Sequence, residues 1–307
     1  MIYRMKRRGI LGLLLVFLIA VVVLTEKNEY DRIHRNGDYM ENLCFVLGNS
    51  ASEQRIYCFA DEEKKTSYLF LPSYAKSGNV KISFAGAEQV VFVGEEGEIT
   101  LKNGEQISAL KYDEAYDMYF CDKKGERLAE TEIVIMHSAN LPAVFMETDS
   151  GSMQMLDADK DYEEKGRVVL FDADGKVVCV DQLNRISGRG NSTWAYPKKS
   201  YGIRLKNRAD LFGMGSADNW ILLSNADDRA YIRNKITYDM AVAAGMEGSP
   251  ESQYIDLYIN HKYHGMYQLC EKIEIDSERV AIADLKAENE KLNRDMESYG
   301  HFETERL

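Results

Sequence analysis

From residue 43 onward, apolar and polar residues alternate in short runs closed by Gly, Asn, Asp, Pro or Ser. A period of two puts neighbouring side chains on opposite faces of a strand. The runs LCFVL (43–47), RIYCF (55–59), SYLFL (67–71), VKISF (80–84), QVVFV (89–93), EITL (98–101), MYF (118–120) and EIVIM (132–136) therefore predict strands. Many short strands at even spacing imply a β-sandwich-like region, assigned to residues 41–137. Beyond it, LPAVFMET (141–148) opens a second region, and RVVLF-DADG-KVVCV (167–180) is a hairpin around an Asp-Gly turn. Residues 198–206 read as a strand. YIDLYI (254–259) and the return strand within 264–275 flank a turn at Asn260-His261. Between them Tyr231, Ile232, Ile236, Met240 and Ala243 follow helical spacing. They predict a helix over 228–244, capped by Asp227 or Asp228 and stopped at Gly245. The fold class is mostly β with α: an α+β domain over 138–285 follows the β domain, and a charged tail occupies 286–307.

The N-terminus has its own pattern. Residues 1–8 carry four basic residues and no acid, and 9–25 carry no charge. That apolar run suits a short membrane span, and no small-x-small cleavage site follows it. The reading favours an uncleaved anchor over 9–25, with 1–8 cytoplasmic, 26–40 a polar tether and the bulk of the chain extracellular. If the segment is cleaved, the protein is secreted. The membrane is thus one expected partner, through 9–25.

Net charge is −12. An acidic chain argues against general nucleic-acid binding. The five cysteines, Cys44, Cys58, Cys121, Cys179 and Cys270, form no CxxC pair, so no zinc cluster is suggested. Asp157, Asp159 and Asp161 match the start of a calcium loop. Tyr162 and Val168 then stand where that loop needs glycine and glutamate, and a solvated loop is the better reading.

Against that acidic background, residues 186–205 (ISGRGNSTWAYPKKSYGIRL) stand out. Gly188 and Gly190 permit a tight turn and close approach to a ligand. Such turns can aim several N–H groups at one anion. Asn191, Ser192 and Thr193 add short donors, and Trp194 offers a stacking face or a lid. In the strand that follows, Lys198, Ser200, Gly202, Arg204 and Lys206 share one face, a cationic stripe around a bare glycine. An anion site and an ordinary solvated edge strand both fit this pattern.

GRGNSTW followed by YPKKSYGIRL resembles the signature of the CotH family, spore-coat atypical protein kinases. LFGMGSADNWILLSNADDRAYIRNKITYDMA is similar to the family's Leu-Gly-Met, Asn-Trp and Arg-Asn-Lys block. ESQYIDLYINHKYHGMYQLCEKIEI is similar to its hairpin ending in Glu-Lys, with Asn260-His261 where the family usually has Asn-Gly. The resemblance covers residues 141–285. It implies that 138–285 is similar to the N-terminal lobe of an atypical kinase that transfers phosphate from ATP, with Mg or Mn, to serine of a protein. Gly188, Arg189, Gly190, Asn191, Ser192, Trp194, Lys198, Lys199, Arg204 and Glu271 would then form the nucleotide site. Which lysine meets phosphate stays open. Glu271 either orients such a lysine or pairs with Lys272 at the surface. The family's catalytic aspartates lie in later Asn-x-Asp and Trp-Asp-x-Asp segments that this sequence does not contain. No catalytic or metal residue is assigned, and the expectation is a nucleotide-binding portion inactive as this fragment. A non-catalytic surface, adhesion or coat-assembly protein is the alternative. Protein partners are implied as substrate or as coat and surface components.

Overall fold

The computed structural model describes residues 27, 38–48, 53–61 and 63–298. The span expected over 9–25 lies outside them. Among the described residues no helix is long and apolar enough to cross a membrane. Two compact units result: the described part of Met1–Leu141 with Ala173–Gly175 and His261–His264, and Pro142–Asp172 with Lys176–Asn260 and the described part of Gly265–Leu307.

Among its described residues the first unit is mostly strand, with a helical turn at 38–41 and a short 3₁₀ turn. β1 (Cys44–Leu47), β2 (Gln54–Tyr57) and β5 (Val80–Ser83) form a three-stranded antiparallel sheet in the order β2-β1-β5. β3 (Phe59–Asp61), β4 (Thr66–Leu71), β6 (Gln89–Gly94), β7 (Gly97–Lys102), β8 (Glu114–Cys121) and β9 (Arg127–His137) form a six-stranded sheet, β3-β4-β9-β8-β6-β7. Only its β4–β9 pair is parallel. Phe45, Leu69, Phe92, Phe120 and Ile133 are buried, and alternation is clean around Leu69 and Ile133, whose neighbours Tyr68, Phe70, Glu132 and Val134 are more exposed. His137 stacks on Tyr112 at 4.6 Å, a packing role.

The second unit is a closed barrel of seven strands, in the order β10-β11-β12-β13-β14-β16-β15. The strands are β10 (Ala143–Thr148), β11 (Glu163–Phe171), β12 (Val177–Arg189), β13 (Ser200–Asp210), β14 (Ser216–Leu223), β15 (Ser252–Ile259) and β16 (Lys262–Glu271). Parallel pairing of β10 with β15 closes it. This corrects the expected α+β, kinase-lobe-like domain. The helices are few: α1 (Gln154–Ala158), α2 (Arg233–Ala243) and α3 (Leu285–Ser298). No residue of α2 is buried, and Ile232, Ile236 and Met240, which set the helical spacing, are exposed. The strands satisfy one another around the ring, so no helix is needed to cover a sheet face.

Inward positions fill the barrel. Met146, Val168, Leu170, Ile186, Tyr201, Ile203, Trp220, Leu222, Leu257 and Tyr267 belong to one buried cluster. A barrel of about this size has room for side chains and little else. Asn260 (φ 50°) and His261 (φ 67°) form the β15–β16 turn, both left-handed, as a two-residue hairpin of type I′ requires.

Candidate functional site

With the lumen packed, ligand space lies on the outer wall. Tyr201, Ile203 and Leu205 point in, so Ser200, Gly202 and Arg204 point out. Gly202 pairs with Ser187 on β12 and Ile221 on β14. A Cβ placed on Gly202 would meet nothing within 4 Å. Its backbone angle is ordinary, since it is absent from the left-handed set. The glycine is therefore not required by any turn or close packing, and it leaves the wall bare.

Two adjoining depressions open there, with volumes of about 320 Å³ and 410 Å³. Gly202, Ile221, Leu223 and Cys270 line the first, with Tyr238 of α2 and Pro250 beside them and Arg185, Asn219, Glu271 and Lys272 supplying polar groups. The second is polar: Thr193, Ser200, Ser224, Asn225, Asp227 and Asp228 line it, with Asn234 from α2. Arg189, Leu223 and Tyr238 belong to both.

The charges around the first depression are mostly spent. Arg185 pairs with Glu163 at 3.4 Å, and Lys272 with Glu274 at 3.1 Å. Glu271 pairs with Arg279, whose side chain is 2% exposed, and its second oxygen accepts from the Glu251 N–H at 2.8 Å. The Arg279 guanidinium also lies over the Trp220 ring at 4.7 Å. Burial raises the Glu271 carboxyl, and the Glu251 N–H and Arg279 pull it back. The Arg189 side chain alone makes no hydrogen bond or ion pair with a described residue, although it is exposed and shared by both depressions. Burial also pushes the Cys270 thiol up to about 12, which removes it as a nucleophile. Tyr238 is raised by burial, with Arg189 pulling the other way.

The second depression is held by a polar network. Gln268, 0% exposed, accepts from Asn225 Nδ2 at 2.9 Å and donates to Ser252 Oγ at 2.9 Å. Asn225, left-handed at φ 49°, accepts from Asn234 Nδ2 at 2.8 Å. Ser200 and Ser224 join through Oγ to Oγ (3.1 Å) and the Ser224 N–H to Ser200 Oγ (3.0 Å). Asp228 accepts from the Arg233 N–H at 2.7 Å and the Ala230 N–H at 3.1 Å, which holds its carboxyl below the usual range and commits it to the turn leading into α2, whose N-cap is Ile232 rather than the expected Asp227 or Asp228. Among the described residues no group of three or more His, Cys, Asp or Glu is placed to hold a metal.

The structure divides the ten sequence-derived residues. Gly188, Arg189 and Glu271 line the first depression, and Arg189 and Gly190 the second. Asn191 and Ser192 are exposed at a 3₁₀ turn spanning Ser192–Ala195. A Cβ on Gly188 would run into the Trp194 ring, and Gly190 takes φ 106°. The indole is thus engaged by its own loop. Lys199 lies over it at 4.7 Å and donates to the Trp194 carbonyl at 2.5 Å. Lys198 turns to β16, donating to Met266 O at 2.6 Å, with the rings of Tyr231 and Tyr267 at 5.0 and 4.6 Å. Burial without an acid partner brings its amine down to about 8. Arg204 is paired with Asp218 at 2.7 Å. No continuous cationic stripe exists, and Glu271 orients an arginine rather than a lysine. Arg185, Asn219, Asn225, Asn234 and Tyr238 were given no site role, because separate segments of the chain bring them together, although Asn219 and Asn234 stand in the Asn-Trp and Arg-Asn-Lys motifs of the resemblance. The run Asn225–Asp228 did carry a signal, since such residues favour turns and caps.

Residues 186–303 match the family described as CotH kinase protein, and the chain is related to the CotH family through that segment. No curated protein matches the chain.

Proposed function

We propose, with that CotH relationship as premise, that the outer barrel wall binds a nucleoside triphosphate for phosphoryl transfer to a protein serine. The observation that carries this is the bare wall at Gly202 beside the unpaired cation of Arg189. A flat ring can lie where a side chain at Gly202 would otherwise project, against Ile221 and Leu223 and beside Tyr238. Arg189 then meets phosphate, for which a planar guanidinium is suited. The polar second depression, reached past Arg189, can take the remaining phosphates or the acceptor hydroxyl. A divalent ion such as Mg or Mn fits only in part. Asp228 is committed to backbone amides, so Asp227 is the depression's other carboxylate, and phosphate oxygens and water would supply most ligands.

Titration of the full chain with ATP, with and without Mg, tests the reading. Arg189→Ala is expected to weaken binding about 10- to 100-fold, the range for a charge-assisted hydrogen bond of ~1.5–3 kcal/mol. Equal affinity in wild type and variant would contradict it.

A further inference from the structure

Arg204 and Asp218, which the nucleotide reading leaves unused, form a chain that ends at the first depression. Arg204 Nε donates to Asp218 Oδ2 at 2.7 Å. Asp218 Oδ1 accepts from Asn219 Nδ2 at 3.2 Å. The register between β13 and β14 shifts just past the Arg204–Asn219 pair, and that irregularity brings Asp218 alongside.

The chemistry of this chain is directional. An ionised carboxylate only accepts, so the Asn219 amide must turn its NH₂ toward Asp218. The pairing with Arg204 holds the Asp218 carboxylate in place. The Asn219 carbonyl oxygen is left as the amide's free group, and it makes no other side-chain hydrogen bond among the described residues. Asn219 lines the depression floored by Gly202. Both oxygens of Glu271 there are occupied, by Arg279 and the Glu251 N–H. The Ser187 hydroxyl lines the same space, but a hydroxyl rotates to donate or accept and imposes no direction.

We propose that Asn219 is a specificity-determining residue that accepts a hydrogen bond from an amine on the bound ring, and that Asp218 and Arg204 are its positioning residues. The inference rests on the nucleotide reading. It adds the edge chemistry of the ring: an amine-bearing ring is selected over the same ring without it.

ATP and purine riboside 5′-triphosphate, which differ only by the exocyclic amine, separate the two ideas when titrated against the full chain. Wild type is expected to bind ATP about tenfold more tightly, the net worth of one hydrogen bond in a partly open site. Asn219→Leu should bind both nucleotides at the weaker level. Asp218→Ala frees the amide to rotate and should shrink the ratio toward one. The ratio, unlike either affinity alone, does not move with a general loss of structure. Equal binding of the two nucleotides by wild type, or an unchanged ratio in Asn219→Leu, overturns the proposal while leaving nucleotide binding intact. Binding of neither overturns the nucleotide reading and this proposal with it.

Discussion

Lys198 shows how far a residue's role depends on what folds around it. Its position after a glycine loop suggested an amine aimed at phosphate. The structure instead aims it at the Met266 carbonyl between two tyrosine rings, with no carboxylate of the described residues in contact. The folded amine falls to about 8 from an ordinary 10.5, so folding favours the neutral form. Between those values the unfolded chain binds more protons, and stability rises with pH across that window. The contribution is full above 10.5 and is lost as pH falls toward 8. Thermal denaturation of wild type and Lys198→Met should show the gap between them shifting toward wild type from pH 7 to 9.5. A gap independent of pH would mean that the amine is solvated. Gly188 and Gly190 were legible as glycines with a purpose, yet that purpose is partly internal: Gly188 makes room for Trp194.

At the scale of elements, alternation placed the strands well because period two is a local property. The strands 66–71, 80–83 and 89–94 differ from the apolar runs by a residue or so. Helix α2 was less legible. Its apolar spacing is real, but burial depends on what lies opposite, and the closed barrel offers it no sheet face to cover. Two variants separate what holds this element from what merely decorates it. Met240→Lys, at a position 67% exposed, should change stability by no more than about 0.5 kcal/mol in chemical denaturation. Asp228→Ala removes the acceptors of the Ala230 N–H before the helix and the Arg233 N–H at its first residue, and should cost about 1 kcal/mol in the same experiment. A large loss from Met240→Lys would mean that the stripe is buried in solution. The tyrosine at φ 58° just before the helix, Tyr231, also escapes sequence reading, since a bulky side chain gives no warning of a left-handed backbone.

For the whole molecule, the decisive feature is closure. Pairing β10 with β15 joins residues more than a hundred positions apart, and no local pattern announces it. Closure fills the inside with side chains and leaves open space for a ligand on the outside. Trp220→Ala, at the most deeply buried ring of the barrel, should cost about 3–5 kcal/mol by denaturation. Gly202, one strand away on the opposite face, should behave otherwise. Valine there meets open space and an unstrained backbone, and it suits a strand. Titration of the Gly202→Val chain with ATP, alongside its melting temperature, tests the outer-wall site most directly. The expected result is an unchanged or slightly higher melting temperature with ATP binding reduced at least tenfold; wild-type affinity in the folded variant would contradict a ligand site on that wall.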